Sequence, residues 1–258
     1  MYCNDSTKIK LGEHLSETIH PNQGVRQGCI LSPLLFNIYL ADLPRRLELS
    51  TNTGPKIGSK TLSSIIWADD LIILSETEEG LNKMLAELAL YTEENGLTIN
   101  MDKTKAMIFN KTGKLLRRNF KYKNAHIETV REYKYLGFIL VPSGSIVTGM
   151  NDLKSRGNRA IFQIKNKMGE YFKLKPQISI KLFNMLVKPI LLYMADLWGC
   201  LKRPKNDPID TVQANFLKQL LGVQTQTTNI GVLLETGELP LSKTLLKKLG
   251  SHYEKKRQ

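Results

Sequence analysis

The sequence predicts an α+β fold, in which a partial antiparallel sheet with helices on one face precedes a mostly helical region. Three observations lead to this prediction. Short apolar segments flank an acidic pair at residues 69–70, which is typical of a strand hairpin. Apolar residues then recur at helical spacing over residues 81–91. Beyond Pro142 the pattern is helical, so we expect a boundary near residues 142–147.

The acidic pair, Asp69 and Asp70, follows Ile65-Ile66-Trp67-Ala68 and precedes Leu71-Ile72-Ile73-Leu74. Such short β-branched runs favour buried strands, whereas Asp favours turns, so the acids should lie at a hairpin tip. Adjacent carboxylates repel each other unless a cation lies beside them, and hard ions such as Mg²⁺ or Mn²⁺ prefer carboxylate oxygen. The alternative is a solvated acidic turn without a ligand.

A glycine loop comes before this hairpin. Gly24 and Gly28 bracket Val25-Arg26-Gln27, and glycine permits a close backbone approach to a ligand or simply a tight loop. Ser32 and Pro33 then predict a helix start, with Ser32 as the N-cap.

The segment after the hairpin predicts a helix that begins near Glu76 and stops at Asn95-Gly96. Strands are expected at residues 97–99 and 106–109. Helix, hairpin and returning strand together predict helices packed on one face of a mainly antiparallel sheet.

The charge balance predicts a polyanionic partner. Lys and Arg number 37 against 24 Asp and Glu, a net charge of +13, which favours nucleic acid over an anionic membrane surface. Residues 111–125 carry six basic side chains and no acid, with Phe120 and Tyr122 interleaved. That composition suits phosphate and base contacts, or a solvated basic face.

The C-terminal region predicts several helices, with Pro189 kinking or breaking one of them. Tyr193, Leu197 and Trp198 are expected in the core. A further helix should span residues 207–221, and the last should begin at Leu241.

No apolar run is long enough to span a bilayer, and the first residues lack the pattern of a signal peptide. We therefore expect a protein that is not associated with a membrane and not secreted. It should be intracellular, either nuclear or cytoplasmic. Three widely spaced cysteines predict neither a disulfide framework nor a zinc cluster. The sequence gives no indication of an oligomeric state.

Five segments in order resemble the reverse transcriptases of LINE-type, non-long-terminal-repeat retrotransposons. They are the glycine loop with its helix at residues 24–40, the aromatic-Ala-Asp-Asp hairpin, the lysine segment at residues 96–104, Tyr135-Leu136-Gly137, and the region from Lys188 to Gly199 that includes Tyr193 and Trp198. The resemblance implies that residues 1–142 form a polymerase palm, lacking fingers and the first aspartate segment, and that residues 143–258 form a helical thumb or connection.

The same resemblance implies an RNA-directed DNA polymerase. Its partners would be an RNA template, a DNA primer and deoxynucleoside triphosphates, with Mg²⁺ or Mn²⁺ as cofactor. Asp69 and Asp70 would bind metal and Lys103 would assist the leaving pyrophosphate. The other implied contacts are template or nucleotide binding by Gly24, Arg26, Gln27 and Gly28, and a primer grip formed by Tyr135, Leu136 and Gly137.

Two departures from the family pattern lead us to expect an inactive or weakly active chain. Trp67 replaces the usual tyrosine or phenylalanine, and residues 1–23 contain no match to the family's first aspartate segment. The alternatives are a non-catalytic nucleic-acid-binding remnant and a maturase-type reverse transcriptase.

Overall fold

The computed structural model describes residues 6–20, 24–26, 28–199, 201, 204 and 207–245. The chain divides into two compact units. Unit 1 comprises Met1–Ala106 and Arg117–Glu128, and unit 2 comprises Met107–Leu116 and Thr129–Gln258. Among the described helices, none combines the length and the apolar character that crossing a bilayer requires.

Unit 1 contains helices and antiparallel strand pairs. The helices are α1 (Ser32–Tyr39), α2 (Leu43–Ser50) and α3 (Glu78–Glu94). The strand pairs are β1 (Lys10–Leu11) with β2 (His14–Leu15), β3 (Lys56–Ile57) with β4 (Lys60–Thr61), β5 (Ser64–Trp67) with β6 (Asp70–Ile73), and β7 (Phe120–Tyr122) with β8 (Ala125–Ile127).

Helix α3 begins and ends where its sequence predicts. The Thr77 hydroxyl accepts a hydrogen bond from the Gly80 amide as N-cap, and Asn95 is the C-cap. Its buried face holds Met84, Leu88 and Tyr91 among others. The apolar spacing, the acidic first turn and the polar stop are local sequence signals. For this helix they agree with the structure.

The Tyr91 side chain connects α3 to the ends of α1 and α2. Its hydroxyl donates to Asp42 Oδ1 at 2.8 Å and to the Tyr39 carbonyl at 3.1 Å. Burial, followed by the hydrogen bond to Asp42, raises the pKa of Tyr91. The phenol therefore stays a neutral donor over the physiological pH range.

The mixed α and β class is confirmed, but the described strands pair only two by two, and no larger sheet joins them. The strands expected at residues 97–99 and 106–109 are also absent from the described ladders. In that segment the Ala106 amide forms a single bridge to the Glu128 carbonyl, 2.9 Å long. Partial burial of the segment explains its apolar pattern without strand pairing.

Unit 2 pairs β9 (Tyr133–Tyr135) with β10 (Phe138–Leu140), and its other regular elements within the described residues are helices. Its helices are α4 (Val147–Met168), α5 (Tyr171–Leu174), α6 (Pro176–Leu182), α7 (Lys188–Leu191), α8 (Ala195–Trp198), α9 (Pro208–Leu221) and α10 (Asn229–Thr236), and residues 241–245 are helical as well.

Pro189 disturbs the helical ladder, as predicted. A π-helical segment, Phe183–Val187, stands directly before α7, in which Pro189 is one of the first residues. Proline lacks an amide donor and its ring crowds the carbonyl one turn earlier. The widened π turn accommodates both effects without ending the helix.

The core of unit 2 forms where α4 meets the later helices. Fully buried side chains include Met150, Leu153, Val187, Leu191 and Phe216. The prediction that Trp198 lies in the core is confirmed. Leu197 and Tyr193 are instead exposed, and Tyr193 lies in the turn between α7 and α8.

Candidate active site

The two acids sit at the tip of the β5–β6 hairpin, as predicted. Trp67 pairs directly with Asp70, so Ala68 and Asp69 alone form the turn. The φ angle of Ala68 is +53°, which a first turn residue needs for the tight hairpin turn of type II′. Asp69 is therefore the second turn residue and Asp70 the first residue of β6.

Both carboxylates and the neighbouring indole face solvent. Asp69 and Asp70 are exposed, and Trp67 is 66% exposed. The two strands are half-buried rather than buried as expected, because within the described residues they pair only with each other. The hairpin thus presents oxygen ligands and one aromatic surface at its tip.

The donor chemistry of this tip fits a hard divalent cation. Mg²⁺ is held in proteins by one or two carboxylates together with waters and substrate phosphates. Asp69 and Asp70 supply such oxygens. Within the described ranges, no set of three His, Cys, Asp or Glu side chains is arranged to hold a metal ion.

The glycine loop is closed onto the start of α1. The Ser32 hydroxyl donates to the Arg26 carbonyl at 2.6 Å, and the Cys29 amide donates to the same carbonyl at 3.3 Å. The prediction that Ser32 is the N-cap of α1 is wrong, since Ser32 is the first helical residue and its hydroxyl holds the loop.

Gly24 and Gly28 both have positive φ angles, +96° and +80°, and apart from their chain neighbours no described residue lies within 4 Å of where their Cβ atoms would be. The loop therefore exposes backbone that a ligand can approach closely. Arg26 is exposed, and Gln27 lies outside the described residues.

Lys103 lies in an exposed turn of unit 1. Its amide donates to Asn100 Oδ1 at 3.2 Å, and the Thr104 amide donates to the Asn100 carbonyl at 3.0 Å. Asn100 thus fixes the backbone that carries the lysine. The glycine loop, the acidic hairpin and this turn all belong to unit 1.

The remaining predicted site residues lie in unit 2. Tyr135 ends β9, and Leu136 and Gly137 form the two-residue turn before β10. Both turn residues have positive φ, +45° and +82°, as in a type I′ hairpin turn. The sequence indicated the glycine here, but Leu136 at positive φ carries no local signal.

Comparison with known proteins identifies the family. Residues 3–140, more than half of the chain, match the family described as reverse transcriptase (RNA-dependent DNA polymerase). The chain belongs to the reverse transcriptase family. The matched range includes the glycine loop, the acidic hairpin, the Lys103 turn and the turn at Leu136 and Gly137.

Relatives of this reverse transcriptase chain are retrotransposon proteins. It is 32% identical over 160 residues to a retrovirus-related Pol polyprotein from the type-1 retrotransposable element R2 of Nasonia vitripennis, covering 58% of this chain and 15% of the relative. It is 24% identical over 205 residues to the RNA-directed DNA polymerase from the mobile element jockey of Drosophila funebris, covering 77% and 22%.

A third relative is the Pol polyprotein from the type-2 element R2DM of Drosophila melanogaster, 32% identical over 139 residues, covering 51% of this chain and 13% of the relative. Such relatives confirm the LINE type that the sequence motifs indicated. The matched region spans less than a quarter of the length of each of these three relatives.

Proposed function

We propose that the β5–β6 hairpin is the metal-binding site of an RNA-directed DNA polymerase. The observation that carries the proposal is the hairpin itself, which places Asp69 and Asp70 at consecutive positions of an exposed tip inside the range that matches the reverse transcriptase family. Mg²⁺ or Mn²⁺ held there would supply Lewis-acid stabilisation to the phosphoryl oxygens of a deoxynucleoside triphosphate.

The other predicted residues take defined roles in this proposal. The Lys103 ammonium group donates hydrogen bonds to the pyrophosphate leaving group. The open backbone at Gly24 and Gly28, with Arg26 and Gln27 between them, contacts template RNA or the incoming nucleotide. Residues 135–137 in unit 2 form the primer grip. In terms of domains, we propose a palm over residues 1–142 and a helical thumb or connection over residues 143–258.

We expect little polymerase activity from this chain alone. Two exposed carboxylates bind Mg²⁺ weakly unless substrate phosphates complete the coordination, and much of an enzyme's rate comes from a preorganised charge environment. Metal binding should therefore depend strongly on nucleotide.

The test measures Mn²⁺ binding by titration calorimetry in the presence of dTTP and an oligo-dT/poly-rA primer–template. Asp69→Asn should strongly weaken nucleotide-dependent binding. Glu13→Gln is the matched control, since Glu13 is also an exposed acid in a two-residue hairpin turn, between β1 and β2. If both variants lost Mn²⁺ binding equally, Asp69 and Asp70 would attract the ion only through general surface charge and would not form a specific site.

Primer extension on the same substrate then tests the reaction. Any extension should require Mg²⁺ or Mn²⁺ and disappear in Asp69→Ala but not in Glu13→Gln. Sustained metal-dependent extension by the unmodified chain would overturn the expectation of low activity while supporting the polymerase proposal.

A second candidate function is nucleic-acid binding without catalysis. Exposed basic side chains over residues 111–123 support it, namely Lys111, Lys114, Arg117, Arg118, Lys121 and Lys123. Two of them are engaged in ion pairs, Arg118 with Glu78 at 3.3 Å and Lys123 with Glu93 at 2.7 Å.

This candidate predicts salt-sensitive RNA binding that Asp69→Asn leaves unchanged. Lys111→Gln should lower the slope of log K against log salt by about 1, as expected for one lost phosphate contact. Lys123→Gln should lower it less, because Glu93 already compensates that charge. The retrotransposon relatives favour a LINE-type enzyme over the maturase-type alternative.

A further inference from the structure

The turn between β9 and β10 has an unusual backbone for its composition. Leu136 and Gly137 both adopt positive φ, at +45° and +82°. Glycine tolerates positive φ. Leucine rarely adopts it, because its Cβ atom then lies too close to the following carbonyl oxygen. A strained residue persists only where surrounding contacts over-determine it.

Two side chains from later in the sequence hold this turn by its carbonyl groups. The Tyr193 hydroxyl donates to the Leu136 carbonyl at 2.7 Å. The Arg156 guanidinium donates to the Gly137 carbonyl. The Tyr193 ring also lies against Gly137, where an added Cβ would be 3.3 Å from Cε1 of the ring. Both the backbone angle and the neighbouring ring therefore favour glycine here.

Tyr193 is itself held in place. The Trp198 indole donates from Nε1 to the Tyr193 carbonyl at 2.8 Å, and the Trp198 side chain is only 2% exposed. The Trp198 ring stacks nearly parallel to Phe138, the first residue of β10, with centroids 6.5 Å apart. Met194 follows Tyr193 at φ +53°, which bends the backbone between the two aromatic residues.

These contacts join two sequence motifs that the family resemblance leaves separate. Both lie in unit 2, and the turn remains only partly buried. Tyr193 is 43% exposed, so its hydroxyl fixes a surface turn rather than filling the core. Specific polar contacts thus keep a strained turn in one conformation at the surface. Such strain is common where a protein must present a fixed conformation to a ligand.

We infer that Tyr193 is a positioning residue for the primer, which holds the turn of Leu136 and Gly137 in the conformation that contacts the primer backbone. The inference rests on the proposed primer grip at residues 135–137 and extends it to a residue outside that segment. Arg156 holds the same turn directly, and Trp198 supports it through Tyr193 and Phe138.

The test compares the full chain with Tyr193→Phe, which removes the hydroxyl and keeps the ring. Tyr171→Phe is the matched control, since Tyr171 is an exposed tyrosine of the same unit. Hydrogen–deuterium exchange of residues 133–140 is measured with and without an RNA–DNA primer–template that has a recessed 3′ end. Fluorescence anisotropy gives the Kd for that duplex and for the single-stranded RNA template.

Tyr193→Phe should speed exchange of residues 133–140 and raise the Kd for the primer–template about fivefold, the factor that one net hydrogen bond is worth, with the Kd for RNA alone unchanged. Tyr171→Phe should do neither. A purely structural role would move both Kd values together and would overturn the inference.

Two other outcomes would also overturn it, and they separate its parts. Unchanged exchange in Tyr193→Phe would show that the hydroxyl does not hold the turn, whatever the function of residues 135–137. Faster exchange in the variant, but no protection of the wild-type segment by primer–template, would show that the turn is held but is not a primer grip, so that the proposed function fails at this point.

Discussion

Trp67 and Asp70 face each other directly across the β5–β6 hairpin, so that only Ala68 and Asp69 connect its strands. This pairing fixes which acid lies in the turn and which begins β6. It also forces Ala68 to a φ of +53°, a region where an alanine Cβ crowds the backbone.

The strain at Ala68 leads to the first prediction. Ala68→Gly removes the Cβ and should raise the free energy of unfolding by about 0.5 kcal/mol, because relief of strain slightly exceeds the added entropy of the unfolded chain. Urea denaturation measures the change. Ala89→Gly, inside α3, should lower the free energy of unfolding by about 1 kcal/mol. Destabilisation by both variants would contradict the strain at Ala68.

The packing of α4 on α7 gives the second prediction. A Cβ at Gly157 would lie 2.5 Å from Leu191 Cδ2, and Leu191 is fully buried. Gly157→Ala should therefore destabilise the protein by about 1–3 kcal/mol despite the better helix propensity of alanine. The midpoint of chemical denaturation measures this.

The control for Gly157 lies next to it on α4. Asn158 is exposed, and Asn158→Ala should stabilise slightly through helix propensity alone. If Gly157→Ala behaved like Asn158→Ala, the close approach of α4 and α7 would be refuted.

A buried amide leads to the third prediction. Gln213 is 2% exposed on α9, and it donates from Nε2 to the Leu239 carbonyl and accepts at Oε1 from the Leu241 amide, both at 3.0 Å. Gln213→Leu leaves these two backbone groups without their partner and should cost about 2–4 kcal/mol. Gln219→Leu, at an exposed position of α9, should cost far less.

Local signals explain which parts of the fold could be predicted from sequence. The bounds of α3 and α9 follow from apolar spacing, from Thr77 and Asp207 as N-caps, and from glycine or asparagine stops, all within the helices or beside them. The hairpin tip likewise follows from the turn preference of Asp. The strands predicted at residues 97–99 and 106–109 are wrong, because the apolar residues there reflect partial burial and not strand pairing.

Long-range contacts explain what the sequence could not predict. Tyr193 and Leu136 are 57 residues apart, and no pattern around either one indicates their hydrogen bond. The same holds for the bond from Ser32 to Arg26, since Ser-Pro before a helix favours an N-cap and the hydroxyl instead turns back to the loop. The roles assigned to Asp69, Asp70 and Lys103, and the palm and thumb division, stay predictions.

The ion pair behind the β9–β10 turn gives the last prediction. Asp152 accepts from Arg156 Nε at 2.9 Å, and the same guanidinium donates to the Gly137 carbonyl. The hydrogen bond from Arg156 lowers the pKa of Asp152 from its ordinary value of 3.8. A lowered folded-state pKa means that this pair stabilises the protein above pH 3.8 and that the stabilisation is lost as pH falls through the folded pKa.

Asp152→Asn should therefore lower the free energy of unfolding at pH 7 by about 1 kcal/mol or less, since both side chains are partly exposed, and the difference from wild type should vanish at low pH. Thermal unfolding followed from pH 7 to well below pH 3.8 measures this convergence. Hydrogen exchange of residues 133–140 should rise over the same low-pH interval in the wild type, after correction for intrinsic exchange, because Arg156 loses the partner that orients it. Parallel stability curves for the two proteins would show that Asp152 does not hold Arg156 against the turn.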